Sequence, residues 1–539
     1  MSTLPSTSSL PSPLTVVTGA IAVVLVVPLT WLVVEAVTVD PDRAVDLLVS
    51  RRTTDIVFNS ILLMTGVTAC SILVGVPLAY LTVRTNLPFR RFWSVAVALP
   101  LVIPSYVGAF AFVSAFGPQG EFHSLLAPVG VDRVPEVYGL SGAVLVVTLY
   151  TYPYVYLTTR AGLLSFDTRL IEAAQTLNRS RWTTFRTVVF PQIRPSIAAG
   201  SLLAALYAIS DFGTPAIMRL PVFTRQIYVE YNAFGSDYAA LLSLQLLGLV
   251  VLVLLLERVV STDQPIRGDD TDHTGSRIRL GVWRWPAMLL PVVVTAAAIV
   301  LPVWILVLWL GQADGGARGS VAIDWVQPIE SIGLVVPVQP LNSVSVAIAA
   351  AVAAVCVALP VAHLAATSDS PVASLFERTT YVGFAVPGVI LGLALVFFGA
   401  SYLPWVYQTL PLLVFAYVVR FLPQAVGTIR TSILQIDTRL LEAGRTLGSS
   451  PADTFRRITL PLSRSGIIAG AALVFLTTMK ELPATLLLRP SGFETIVMQI
   501  WRAQEDALYQ YAAVPTLMLI VISGASMVVL LSQEGNTGL

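Results

Sequence analysis

The sequence predicts an all-α polytopic membrane protein, with about twelve transmembrane helices in two pseudo-symmetric halves. Three observations carry that expectation: an apolar composition, apolar runs long enough to cross a bilayer along the whole chain, and an internal repeat. Of 539 residues, 55% are hydrophobic and only 12% are charged, with a mean hydropathy of +0.79. A water-soluble chain usually carries about twice that share of charge.

A helix needs about 20 apolar residues to cross the hydrocarbon layer. Such runs fall near 14–38, 57–83, 92–116, 138–162, 195–217 and 238–259, and again near 286–310, 342–368, 378–402, 408–428, 464–488 and 511–532. Lipid offers no partner to an open backbone, so each run reads as a helix. Pro100, Pro104, Pro153, Pro360 and Pro387 interrupt runs. They read equally as packing kinks or as bends along a moving pathway. The first run does not read as a signal peptide, because residues 1–13 hold no Lys or Arg and no small-residue cleavage site follows.

Arginine placement sets the expected orientation. Arg84, Arg90 and Arg91 follow the second run, and Arg160, Arg169, Arg179, Arg181, Arg186 and Arg194 follow the fourth. A central polar stretch holds Arg267, Arg277, Arg279 and Arg284. All fall on one side, expected to be cytoplasmic, and both termini fall there too. Arg51 and Arg52 vote the other way. The expected location is the plasma membrane, crossed many times.

Several function classes are excluded early. A net charge of +1 gives no broad field for nucleic acid. Cys70 and Cys356 lie in apolar runs and read as packing residues. His123, His273 and His363 are scattered without ligand spacing, so no metal site is established. The lone lysine, Lys480, follows Met479, and the Gly-Lys-Ser/Thr core of a phosphate loop is missing. The chain is therefore not expected to be an enzyme or to hold a cofactor. If ATP powers it, a separate subunit hydrolyses the ATP.

The chain repeats itself. Asp167-Thr-Arg-Leu-Ile-Glu172-Ala-Ala reads against Asp437-Thr-Arg-Leu-Leu-Glu442-Ala-Gly in the second half. Asn59-Ser60, Pro77 and Pro104 match Asn342-Ser343, Pro360 and Pro387 at a slightly wider offset, and the extra residues of the first half lie near 117–137. Two parallel units of about six helices follow, 1–259 and 286–539, related by an axis along the membrane normal. A polar cytoplasmic linker joins them at 260–285.

Each unit carries a cytoplasmic helix pair, at about 165–194 and about 435–464. In the second, Asp437 is a helix N-cap, Gly448 takes the left-handed conformation that ends the helix, and Ser450 caps the next, with Pro451 at its first position. Phe455 and Ile458 make its apolar face, and Pro461 is expected to end it. Asp167, Asn178, Ser180, Trp182, Phe185, Val189 and Pro191 take the equivalent places in the first. An amphipathic loop lying on headgroups needs apolar faces, but not the same cap, turn and stop built twice. A docking element for a two-fold partner accounts for both, with Glu172 and Glu442 at equivalent places.

The pattern Glu-Ala-Ala/Gly, three residues, Gly, nine residues, Ile-x-Leu-Pro resembles the signature loop of type I ABC importer permeases. Glu442, Ala443, Gly444, Gly448, Ile458, Leu460 and Pro461 carry it in full. Glu172, Ala173, Ala174, Val188 and Pro191 carry it with Asn178 for the glycine and Phe190 for the leucine. The resemblance covers nearly the whole chain as two fused units. It implies alternating access driven by two copies of a cytoplasmic ABC ATPase subunit, each taking one loop into a cleft where Glu172 or Glu442 meets basic groups. It also implies an extracytoplasmic solute-binding protein.

Ser210-Asp211-Phe212-Gly213-Thr214-Pro215, and the stretch from Lys480-Glu481-Leu482-Pro483 to Arg489-Pro490, resemble the ferric-iron branch. Thiamine or another small solute is the alternative cargo. An ion-gradient-driven secondary transporter is the rival mechanism, and the docking loops argue against it. Asp211 and Glu481 are equivalent, in the same register as Glu172 and Glu442. As pathway residues, with Lys480 beside them, they offer oxygens suited to a hard cation such as Fe(III). As structural residues, Glu481 is neutralised by Lys480, and Asp211 caps a broken helix or meets Arg219. Arg420, inside the tenth run, has Glu35 and Glu481 as candidate partners, or snorkels.

Overall fold

A computed structural model describes residues 13–117, 120–126, 137–165, 181–260, 278–312, 326–329, 334–368, 370–506 and 509–535. Apart from turns and one antiparallel ribbon, Val326–Ile329 paired with Leu334–Pro337, these residues are helical. Eight helices are long and apolar enough to cross a membrane: Pro13–Val37, Arg51–Arg84, Gly139–Leu164, Phe185–Ser210, Ser236–Leu256, Gly281–Leu310, Val338–Thr367 and Leu410–Leu434. Three further spans are bent pairs. Arg90–Val102 meets the helix from Ser105 at 92°, Pro371–Ala385 meets Gly388–Tyr402 at 101°, and Pro451–Leu462 meets Arg464–Met479 at 68°. The last apolar helix, Ala513–Val529, is shorter. Among the described residues the count is thus eight to eleven spans, against the twelve expected.

Two of the five interrupting prolines break their spans, and they are repeat partners. Ile103 and Val386, which precede Pro104 and Pro387, are extended at ψ 127° and 124°. A proline ring drives the residue before it out of the helical region. Pro153 and Pro360 lie inside continuous helices, and Pro100 lies in the short turn Leu99–Val102.

Three π turns have a common cause. Phe185–Val189, Ala296–Val300 and Phe455–Thr459 each end two residues before a proline, Pro191, Pro302 and Pro461. A proline inside a helix lacks its N–H and crowds the carbonyl four residues back. A one-residue widening of the ladder relieves that crowding. The carbonyl four residues before Pro302 is that of Ala298, and it accepts the Tyr150 hydroxyl at 3.2 Å. The expected stops at Pro191 and Pro461 are therefore corrected. The helix runs on through Pro191 to Ser210, and the second copy continues to Leu462 and bends at Ser463.

The chain folds as two compact units that do not follow the sequence repeat. One comprises Met1–Thr38, Gly315–Arg502 and Met518–Leu539; the other comprises Val39–Asp314 and Ala503–Leu517. Each unit thus holds the first helix of the other repeat. Pro13–Val37 packs on Gly388–Tyr402, with Trp31 edge-on to Tyr402 at 4.7 Å. Gly281–Leu310 packs on Ser105–Phe116, with Phe110 against Trp309 at 5.1 Å. Residues 261–277 of the linker lie outside the described residues. From Ile278 the chain is pinned: Ile278 N donates to Arg84 O at 2.9 Å, and Leu280 N donates to Asn86 Oδ1 at 2.8 Å.

Each unit is cored by three helices, Arg51–Arg84, Gly139–Leu164 and Phe185–Ser210 in one, and Val338–Thr367, Leu410–Leu434 and Arg464–Met479 in the other. Small residues set their closest approach, as expected where lipid removes most of the hydrophobic drive. A Cβ on Gly200 would lie 2.6 Å from Val155 Cα, and one on Gly470 would lie 3.0 Å from Ala425 Cα. Both contacts are the same pair of repeat positions.

The repeated Asn-Ser pair also has one job in both units. Asn59 Nδ2 donates to Pro221 O at 3.2 Å, and Asn342 Nδ2 donates to Glu494 O at 3.0 Å. Ser60 Oγ accepts from Phe223 N at 3.1 Å, and Ser343 Oγ accepts from Ile496 N at 2.7 Å. These amides open the helices Phe223–Asn232 and Ile496–Glu505. A first-turn amide needs an acceptor, and a serine on a distant helix supplies it. Ser60→Ala and Ser343→Ala are each expected to lower stability by about 1 kcal/mol, the usual effect of losing a cap. A lowered thermal midpoint in detergent checks this, with Ser345→Ala, exposed and bonded only to Asn342 O of its own helix, leaving the midpoint unchanged.

Candidate functional site

Two regions hold the expected site residues, and the fold keeps them apart. Glu442 lies on the short helix Thr438–Thr446, and Glu481 follows the far end of Arg464–Met479. That helix has 16 residues, about 24 Å at 1.5 Å per residue.

The second coupling pair folds as its local chemistry dictates. The Asp437 carboxylate accepts from Arg439 N at 2.9 Å and caps Thr438–Thr446. Gly448 has φ +85°, and the Ser450 hydroxyl accepts from Asp453 N at 3.1 Å at the head of Pro451–Thr454. Glu442 and Ala443 are exposed, as is Pro461, and Leu447 is 87% exposed. Gly444 is buried where the two helices touch, and a Cβ there would lie 2.8 Å from Ile458 Cδ1. The first copy pairs Ala174 with Val188 at these positions, a larger residue against a smaller one. Glu172, Ala173, Ala174 and Asn178 lie outside the described residues; Pro191 is described, exposed, and inside its helix.

Both pairs lean on the membrane helices through one aromatic contact. Phe455 packs edge-on to His363 at 4.8 Å, and Phe185 packs edge-on to Tyr80 at 5.4 Å. His363 and Tyr80 are repeat partners near the C-terminal ends of Val338–Thr367 and Arg51–Arg84. The alignment of His363 with Tyr80 was the available signal; their shared partner was not legible.

At the other ends, Asp211 and Glu481 each meet the break of the third span of their own repeat. Asp211 Oδ2 accepts from Ser105 Oγ, directly after Pro104, at 3.0 Å, and Oδ1 accepts from Thr214 N at 3.5 Å. Tyr207 donates to the same Ser105 hydroxyl at 3.1 Å. Glu481 Oε1 accepts from Ala484 N at 3.3 Å, and Oε2 pairs with Arg420 Nε at 3.0 Å. Arg420 also donates to Val386 O at 3.0 Å, the carbonyl just before Pro387. Gly388 follows that proline, and a Cβ there would lie 2.4 Å from Glu481 Oε1.

The cation paired with Glu481 is Arg420, one of the two expected for it, Lys480 being the other. Lys480 caps the end of Arg464–Met479. Asp211 takes hydroxyl and amide donors instead of Arg219. Both carboxylates cap the short helix that follows them, which the structural reading expects of Asp211 alone. Glu481 is only 6% exposed, so a cargo ion could reach it only if the Arg420 pair opened.

A duplicated bundle of broken and continuous spans, with a capped helix pair described in the second repeat, defines a multi-pass membrane permease. The chain belongs to the family of binding-protein-dependent transport system inner membrane components, which matches it twice, over residues 71–261 and 354–533. It is 31% identical to the Fe(3+)-transport system permease protein FbpB 2 of Haemophilus influenzae, over 95% of this chain and 96% of that one. It is 23% identical to the ferric transport system permease protein FbpB of Actinobacillus pleuropneumoniae, over 89% and 71%. A probable molybdenum ABC transporter permease of Haloferax volcanii is 31% identical over 38% of this chain and 74% of that one.

Two substitution sets test the geometry. Glu481→Gln alone leaves a buried guanidinium without its counter-charge and is expected to cost about 3–5 kcal/mol, while Arg420→Met with Glu481→Gln recovers most of it. Thermal midpoint and uptake together decide: a double variant that is stable but transports nothing would assign Glu481 a direct cargo role. Gly444→Ala is expected to depress uptake severalfold, and Ile458→Val in the same chain to restore it, as the Ala174–Val188 pairing suggests.

Proposed function

We propose that this chain is the membrane subunit of an ATP-driven importer whose cargo is Fe(III). The observation that carries the cargo is end-to-end similarity to ferric permeases across nearly the whole chain, whereas the molybdenum relative aligns with little more than a third of it. A solute-binding protein delivers the ion on the extracytoplasmic side. Both termini and both coupling pairs face the cytoplasm, where the arginine-rich loops lie.

Two ATPase subunits each take one coupling pair, with Glu172 or Glu442 meeting basic groups in the cleft. Hydrolysis takes place in those subunits, because this chain lacks a phosphate loop. The exposed Glu442 and Leu447 offer one charge and one apolar contact. Contact at Gly444 and Ile458 makes the two short helices move as one piece. Phe455 on His363 passes that movement to Val338–Thr367, and the bend at Ser463 passes it to Arg464–Met479, whose far end carries Glu481. Alternating access then follows from rocking of packed helices about their breaks.

Cells lacking this chain should recover radiolabelled Fe(III) uptake with the wild type and not with Glu172→Ala/Glu442→Ala at equal membrane levels. Uptake that stays unchanged on adding the wild type would remove iron and make thiamine the next solute to label.

A further inference from the structure

Asp211 and Glu481 hold equivalent places, but the side chains around them differ. Ser105, which donates to Asp211 Oδ2 at 3.0 Å, is replaced by Gly388. Tyr207, which donates to Ser105 Oγ at 3.1 Å, is replaced by Thr477, whose hydroxyl turns to Gln424 Oε1 at 3.1 Å. Tyr150 is replaced by Arg420, which pairs with Glu481. One repeat thus sets hydroxyl oxygens beside its carboxylate, and the other sets a cation.

Access differs as well. Glu481 is 6% exposed, whereas Asp211 and Tyr207 are only part-buried, with Ser105 buried beneath them. An ionisable group at membrane depth is costly unless it faces a partner or a watery path.

The backbone holds this oxygen set in place. Asp211 N donates to Tyr207 O at 2.8 Å, and Asp211 O accepts from Thr224 Oγ1 at 2.7 Å. The Tyr207 ring is backed by Tyr154, with centroids 6.1 Å apart. A Cβ on Gly213 would lie 2.5 Å from Tyr106 Cβ, so glycine lets the short helix Gly213–Ile217 press this closely on Ser105–Phe116.

We propose that the Asp211 carboxylate, with the Ser105 and Tyr207 hydroxyls, forms a transit site for the Fe(III) cargo, and that Glu481 is not its counterpart. The inference rests on the importer reading and its cargo above. A hard cation takes oxygen ligands. Ser105 and Tyr207 free their lone pairs by rotating O–H bonds, with no heavy atom moved. One charged and two neutral oxygens also bind loosely enough to release the ion, as passage requires. At the equivalent place in the other repeat, Arg420 repels a cation.

The test uses the whole importer in vesicles, with loaded binding protein outside and ATP inside, and reads radiolabelled Fe(III) uptake and ATP hydrolysis together. Asp211→Asn keeps the side-chain shape and removes its charge. It should cut the iron moved per ATP about tenfold or more, with hydrolysis stimulated by the binding protein within about twofold of wild type. Tyr207→Phe should cut the same ratio about threefold, the usual effect of losing one neutral oxygen contact. Asp211→Glu, which keeps the charge, should stay within about threefold of wild type. An unchanged ratio in Asp211→Asn overturns the assignment, and where that variant does not assemble, an unchanged ratio in Tyr207→Phe does so. A parallel fall in uptake, ATP hydrolysis and thermal midpoint also overturns it, by making Asp211 a joint of the fold and no more. Wild-type vesicles that hydrolyse ATP on adding the binding protein yet take up no iron would instead overturn the cargo reading.

Discussion

The junction between a carboxylate and a broken helix is the constraint on which the transmembrane architecture depends. Pro104 and Pro387 open the third span of each repeat and free backbone groups at membrane depth. Lipid cannot satisfy those groups, so protein must. In one unit the break is held by Ser105, Asp211 and Tyr207; in the other, by Arg420 and Glu481 on Val386 O. Each carboxylate also accepts from an amide of the short helix after its own span, so two discontinuities are closed by one side chain.

The same logic operates at the opposite ends of these helices, where proline adjusts the ladder without breaking it. The π turns before Pro191 and Pro461 lie where the chain passes into Phe190–Ser210 and toward Arg464–Met479. The turn before Pro302 frees the Ala298 carbonyl for Tyr150. Tyr150 and Arg420 are repeat partners, so one repeat position holds an incoming first helix in one unit and a broken third span in the other. Duplication supplied the scaffold, and the two copies then used equivalent positions for different unmet backbone groups.

What the sequence made legible was local. The spans were readable because a bilayer imposes a length and a composition. Asp437, Gly448 and Ser450 were readable because caps and left-handed turns act within four residues. The partners of charged groups were legible only as alternatives, Glu35 or Glu481 for Arg420, because they are set by distance in space. Lys480 adjoins Glu481 in sequence, yet the ion pair comes from Arg420, on a helix well upstream. The unit boundaries were hidden for the same reason: Pro13–Val37 carries no residue pattern that says which bundle it joins. The Asn59-Ser60 repeat was visible as a match, but its purpose required Phe223 and Ile496 to be placed beside it.

The departures from symmetry are more informative than the symmetry. Positions that close the fold, Gly200 with Gly470 and Ser60 with Ser343, are the same in both repeats, because both bundles face the same packing problem. Positions that contribute little to closure diverge. Arg219 keeps a left-handed, exposed conformation and Arg225 a half-buried one, while Arg489 is extended and Met498 is neutral. Equivalent positions thus stay alike where the two bundles share a packing problem and differ where they do not.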